Sequence, residues 1–325
     1  MSITPGQTFG LVRECDRYRS IYYAGASGDF NPIHIDPEVG QAVGLGGVIL
    51  QGLCTLAWGV DAFARFLGDP GLVTGVKARF SKPVRPEDTV RLEGTVTEVA
   101  GGVVKAAVSA RNQSGEEVLK HVQLTGLEQP PRPVPPAPQM TPQLAQAMDL
   151  LWRARSDMGA EVPEPSGPGP GRTSLGRIWG PFRYVVGAEK MREYAVAISG
   201  GVPSYASTGL PPDLHPVLHD EAAGARSPWG SLIAFPTFAV LFSIAPAQAA
   251  LLDPAMEVDV FRTLHGEQEL EFRELLRPGD VLHTTGTLES HSTRGSNTLF
   301  VIRTDSVNQR GQLAVRGRFT AFVRG

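Results

Sequence analysis

Two stretches of this chain carry almost no charge over a helix-sized length. Ile49–Leu67 is interrupted only by Asp61 and Arg65, and Ile233–Leu252 by no charged residue at all. Each is long enough for a buried helix of about 18 residues. Runs of strand-like alternation follow each stretch. After the first they cover Val73–Ser81, Thr89–Val99, Val103–Asn112 and Glu117–Leu127, divided by Arg-Pro-Glu-Asp, Ala-Gly-Gly and Gln-Ser-Gly turns. After the second they cover Glu257–Leu275, Val281–His291, Thr298–Val307 and Leu313–Val323.

The same order of signals twice points to a repeat, and residue identities support it. Phe80, Arg85, Pro86 and Asp88 fall on Phe272, Arg277, Pro278 and Asp280 at an offset of 192. Gly46-Gly47-Val48-Ile49 falls on Gly230-Ser231-Leu232-Ile233 at an offset of 184, and Ser27-Gly28 on Ser199-Gly200 at 172. The second copy therefore holds two insertions, of twelve and eight residues. A nearly apolar helix followed by an antiparallel meander buries its surface best when the sheet wraps the helix. That α+β solution is the hotdog architecture, and two copies predict a double hotdog, two antiparallel sheets each wrapped around a central helix.

Gln129–Gln143 contains seven prolines, and Pro163–Gly171 is again mostly Pro, Gly and Ser. With a short helix over Leu144–Met158 between them, residues 129–175 read as a linker between domains at 1–128 and 176–325. The linker accounts for much of the surplus of Pro, 27 of 325 residues. Charge then narrows the partners: 30 basic against 33 acidic residues leave no footprint for nucleic acid. Ser227–Leu252 has no charge, yet Pro228, Pro236 and Pro246 break it and its counterpart carries Asp61 and Arg65, so no membrane span is expected. Two cysteines, Cys15 and Cys54, exclude a disulfide framework, and Met1–Gln7 lacks a basic, apolar leader; a cytoplasmic location is expected. Cys54, on the first apolar helix, reads as a small buried hydrophobe.

The chemically dense segment is Tyr23-Ala-Gly-Ala-Ser-Gly-Asp-Phe-Asn-Pro-Ile-His-Ile-Asp36. Asp29 and His34 stand five positions apart with Asn31-Pro32 between them. Proline forbids a regular helix there and Asn favours a turn, so the two side chains can converge across a loop. Such a pair can hold one water and divide acid and base duties. Asp36 reads as the cap of a helix opening at Pro37.

This run resembles the signature of the MaoC-like family, the (R)-specific enoyl-CoA hydratases of the hydratase 2 type; the likeness extends over Pro5 to about Leu127. The resemblance implies that Asp29 and His34 activate the water added to the double bond. It also implies that Asn31 supports them and that the Gly52 N–H donates to the thioester oxygen. A helix N-terminus offers aligned donors for that charge. Gln51 stands where the family usually has His, which places it, with Ser27, among the substrate-binding positions and puts acyl preference in question.

The second half looks like a degenerate partner. Asn31-Pro-Ile-His-Ile-Asp36 falls on His215-Pro-Val-Leu-His-Asp220, which puts Leu218 where His34 stands. The counterpart of Asp29 is Asp213 or Gly201, according to where the insertion lies. His219 reads as a loop residue, and His265, His283 and His291 have no partners at ligand spacing, so no metal is expected. Arg85 and Arg277 recur in both halves and read as structural; Lys82 and Arg79 could meet coenzyme A phosphates. No dinucleotide loop occurs.

The expectation is a hydro-lyase of fatty acid metabolism that converts a trans-2-enoyl-CoA reversibly to the (R)-3-hydroxyacyl-CoA. It needs no cofactor, coenzyme A being part of the acyl-CoA substrate, and two such chains could pair as a homodimer. The alternatives are a hotdog thioesterase and a non-catalytic acyl-thioester-binding partner subunit.

Overall fold

A computed structural model describes residues 2–131, 166, 175–200, 211, 213–259 and 262–324. The linker helix expected over Leu144–Met158 lies outside the described residues. The first half runs β1 (Thr8–Glu14), α1 (Arg19–Ser27), α2 (Pro37–Ala42), α3 (Gly52–Leu67), β2 (Val73–Phe80), β3 (Thr89–Ala100), β4 (Val103–Arg111) and β5 (Glu117–Leu127). The second runs β6 (Ile178–Val185), α4 (Ala188–Ile198), α5 (Glu221–Arg226), α6 (Val240–Ser243), α7 (Ala245–Leu252), β7 (Thr263–Phe272), β8 (Val281–Arg294), β9 (Asn297–Asn308) and β10 (Leu313–Val323).

The first-half meander lies where its turns predict, each strand end within one residue. Its alternation is read by the core: Val90, Leu92 and Val96 of β3 and Val104, Ala106, Val108 and Ala110 of β4 point inward onto α3. Eleven of the sixteen α3 residues are buried, Trp58 and Phe63 fully. The helix opens at Gly52 rather than Ile49 because Gln51 has a non-helical backbone, ψ 128°, while the Ile49 and Leu50 N–H groups bond Ile33 O at 3.2 Å and Val84 O at 2.8 Å.

Two expectations need correction. The helix predicted over Ile233–Leu252 is broken into a 3₁₀ turn at Pro236–Ala239 and the short α6 and α7. Pro246 has no N–H to return to Phe242, which ends one segment and starts the next. Less helix then covers the second sheet, and Thr284 and Ser306, where the first half has Leu92 and Ala110, satisfy each other at 2.9 Å in the interior. Second, the two sheets are not separate. β2 pairs with β7 antiparallel, from Gly75 opposite Glu271 to Arg79 opposite Glu267. The result is one ten-stranded sheet in the order β1-β3-β4-β5-β2-β7-β10-β9-β8-β6, whose two halves mirror each other across the β2–β7 seam.

The seam is reinforced beneath the sheet. The α1 and α4 helices pack together, with Tyr23 Oη and Tyr194 Oη 3.3 Å apart, and Tyr194 Oη donates to Thr237 at 3.0 Å. A four-membered ring of charges joins β1 and α3 to the second half. Arg13 bonds Asp61 (2.5 Å) and Asp213 (3.0 Å), and Arg65 bonds the same two carboxylates at 3.0 Å each. No helix among the described residues is long and apolar enough to cross a membrane.

Candidate active site

Helix α1 ends at Ser27 because Gly28 takes a left-handed conformation, φ 80°, and returns its N–H to Ala24 O at 2.8 Å. The chain then folds on its own polar side chains. Ser27 Oγ donates to Tyr23 O (2.6 Å) and accepts from Asp29 N (3.2 Å). Asp29 Oδ1 accepts from Asn31 N at 3.4 Å, and Asn31 Oδ1 from Ile33 N at 3.3 Å, opening the 3₁₀ turn Pro32–His34. Ser27 and Asn31 thus use these side-chain oxygens to shape the loop. Asp36 caps α2, accepting from Glu38 N and Val39 N at 2.9 and 3.3 Å.

The loop delivers His34 to a buried position with its ring oriented. Nδ1 lies 2.8 Å from the Ile49 carbonyl, and since a carbonyl can only accept, Nδ1 carries the hydrogen. In the neutral ring Nε2 is then the free base, and it faces Asp29 Oδ2 at 3.8 Å. That gap is too long for a direct hydrogen bond and suits a bridging water. The Asp29 carboxylate remains about one-third exposed, so the pair is reachable from outside.

Gly52 stands at the N-terminus of α3 with no side-chain cap on its N–H groups. A Cβ at Gly52 would lie 2.7 Å from the Phe80 ring, so no larger residue fits. Gln51, 1 % exposed, occupies the N-cap position yet sends its amide elsewhere, to Ser20 O at 3.0 Å and Asp29 O at 3.2 Å. The Gln51 nitrogen is thus turned into the protein.

Arg79 and Lys82 are exposed and form no ion pair among the described residues; Arg79 lies opposite Lys120 and Glu267 in the sheet. The cations beside His34 are others. A groove of about 520 Å³ that includes His34, Ser20 and Ile21 is edged by Arg17, which sequence reasoning did not single out, and by Arg85, which it read as structural. Arg85 has a structural bond there, Nη2 to Leu45 O at 2.5 Å, and Arg277 repeats it to Trp229 O at 3.2 Å. Arg17 lies outside the quoted signature, and its exposed charge gave no signal.

The second half keeps the turn and the cap but not the histidine. Its 3₁₀ turn Pro216–Leu218 and the Asp220 cap repeat Pro32–His34 and Asp36. The offset of 184 holds from Asp213 to Met256, so Asp213 is the counterpart of Asp29. Leu218 replaces His34, Phe235 replaces Gln51, and Pro236, without an N–H, replaces Gly52. A pocket of about 340 Å³ lies here, lined by Leu218, Phe235, Asp213 and Arg65 among others, with its charges already paired in the ring. His265 is stacked between Phe80 (4.6 Å) and Phe319 (4.0 Å), and burial pushes its imidazole down to about 3. The described residues contain no cluster of three metal-ligating side chains.

Comparison with known proteins matches each half to its own family model. Residues 4–118 match the MaoC like domain, and residues 174–316 match the FAS1-like dehydratase domain region. A UPF0336 protein of Saccharopolyspora erythraea is 30% identical over 152 residues, 46% of this chain and 89% of that one. Peroxisomal multifunctional enzyme type 2 of Drosophila melanogaster is 46% identical over 69 residues, 21% of this chain and 12% of that one. Among solved structures, a MaoC domain dehydratase of Chloroflexus aurantiacus superposes with a TM-score of 0.64 at 12% identity, covering 99% of this chain and 96% of that one. A Mycobacterium tuberculosis protein with a double hotdog fold also gives 0.64, at 13% identity, covering 99% and 97%. The fold is a double hotdog, and the two family matches support a hydratase or dehydratase role. The chain thus joins a MaoC-like dehydratase domain to a FAS1-like dehydratase region and is a relative of the UPF0336 proteins.

Proposed function

We propose that the first half hydrates a trans-2-enoyl thioester, carried on coenzyme A, to the (R)-3-hydroxyacyl product, and that the second half is a non-catalytic partner domain. The observation that carries this reading is the ring orientation of His34: Nδ1–H is held by the Ile49 carbonyl, which leaves Nε2 free toward Asp29 at 3.8 Å. A water held between them loses a proton to one member of the pair as its oxygen bonds C3. The C2–C3 π electrons move toward the thioester carbonyl, where the Gly52 N–H meets the developing charge. C2 then takes a proton from the pair, and the carbonyl is restored. The pair ends as it began, and the reaction calls for no cofactor.

Residues 1–128 would form the catalytic domain, 129–175 the linker and 176–325 the partner domain, acting in the cytoplasm, with room for two chains to pair. The test is purified chain with crotonyl-CoA, following enoyl absorbance, free thiol and product configuration together. The reading expects loss of the enoyl band, no free thiol and an (R) product. Thiol release would replace it with a thioesterase, and acyl-CoA binding without turnover would favour a binding subunit.

A further inference from the structure

We infer that Gln51 is a positioning residue for Asp29: by tying the Asp29 main chain to helix α1 it sets the carboxylate against His34 and leaves the N-terminus of α3 uncapped. This rests on the reading of Asp29 and His34 as the water-activating pair. A carboxamide nitrogen has two hydrogens, and here each has its own acceptor, Ser20 O at 3.0 Å and Asp29 O at 3.2 Å. Ser20 lies on α1, and Asp29 begins the loop beyond it. With Ser27 Oγ accepting from Asp29 N at 3.2 Å, both main-chain polar groups of Asp29 are held, while its side chain stays partly exposed.

The arrangement is made at a cost. Gln51 Oε1 is buried without a hydrogen-bond partner, and the side chain forgoes the usual N-cap role. In the second half Phe235 stands at this position and arginines hold Asp213 instead: Arg65 donates to its carbonyl at 2.8 Å, and Arg13 and Arg65 each lie 3.0 Å from its carboxylate. Glutamate is isosteric but donates nothing, leucine donates nothing, and a neutral histidine has a single N–H to offer. Of these four side chains, only the carboxamide serves both carbonyls.

The experiment measures kcat and KM on crotonyl-CoA for wild type, Gln51→Glu, Gln51→Leu and Gln51→His in the full chain, with thermal unfolding as the check on folding. For Gln51→Glu and Gln51→Leu, kcat is expected to fall at least about tenfold with KM within about threefold, since small displacements of a reacting group cost up to about a hundredfold. Gln51→His, keeping one donor, should recover part of the loss. A folded Gln51→Glu protein with wild-type kcat would overturn the inference, and so would a loss confined to KM, which would make Gln51 a substrate contact. Hydrogen exchange over residues 28–34 separates this from failure of the hydratase reading. It is read on wild type and Gln51→Glu whether or not either turns over, and faster exchange in the variant is expected. Unchanged protection would overturn the inference even if the chain proved inactive, whereas an inactive wild type alone would refute only the hydratase reading.

Discussion

Lys77 and Glu269 are counterparts in the sequence repeat, 192 residues apart, and they face each other directly across the β2–β7 seam. The approximate twofold axis relating the halves therefore passes through this pair, and the seam joins a strand to its own copy. Lys77 Nζ bonds Glu267 at 3.0 Å and Glu269 at 3.5 Å, and the hydrogen bond to Glu267 raises its pKa. The side chain is 42 % exposed, so the pairing contributes little. Lys77→Ala should lower unfolding stability by less than about 1 kcal/mol, and salt should shrink the difference. Ala78→Pro, one residue along the same inner strand, should cost about 3 kcal/mol or more by removing a ladder bond. Urea unfolding of the two variants compares the charges with the backbone.

Gly52 is fixed by contact as well as by chemistry. The Cβ of Gly52→Ala would meet Phe80 at 2.7 Å, so the ring or the helix start must move. Overpacking of this kind costs about 1–3 kcal/mol. Gly52→Ala should lower the melting temperature, and adding Phe80→Leu should recover much of it. If the single variant melts as wild type does, the contact is looser than described.

The sequence displayed the meander clearly because each first-half strand alternates against one buried helix and ends at a Gly, Pro or Asn-containing turn. β1 was missed: Thr8–Glu14 is a short edge strand whose inward Phe9 and Leu11 are only partly buried and whose third inward residue, Arg13, is charged, so its alternation is weak. The β2–β7 seam has no local signature either, since each strand reads the same alone or paired. At the site, the Asp29–His34 spacing announced convergence across a turn, but where Gln51 sends its amide depends on the carbonyls of Ser20 and Asp29, which only the fold brings together. The break in the second central helix is written in Pro236 and Pro246, which the sequence reading used only against a membrane span.

The tyrosine pair under the seam is a stability determinant. Tyr194 Oη bonds Thr237 O and Oγ1 at 3.0 Å, and burial raises the pKa of both Tyr194 and Tyr23. Tyr194→Phe keeps the packing and strands buried acceptors, an expected cost of about 1–2 kcal/mol. Chemical denaturation reads this directly, and a neutral result would mean that water replaces the hydroxyl.

His265 gives the fold a pH dependence of definite sign. Its folded pKa is depressed to about 3 from an ordinary 6.5, mainly by burial between Phe80 and Phe319. The unfolded chain therefore takes up a proton there before the folded one does. Stability should fall as pH drops from about 6.5 toward 3, by at most about 1.4 kcal/mol per pH unit, and level off below. His265→Phe, which preserves the stack, should flatten that part of the profile. Parallel profiles for variant and wild type would show that the imidazole titrates normally.

The central claim is that one half carries the chemistry, and the hydration rate of crotonyl-CoA by folded variants from both halves tests it most directly. His34→Ala and Asp29→Asn should each lower kcat by about 10²–10⁴-fold, the range of general acid–base contributions. His215→Ala and His219→Ala, the second-half histidines nearest the corresponding position, should leave it within about twofold, as removal of groups outside the reacting pair requires. Near-wild-type hydration by His34→Ala, or a comparable loss from either second-half variant, would contradict the account.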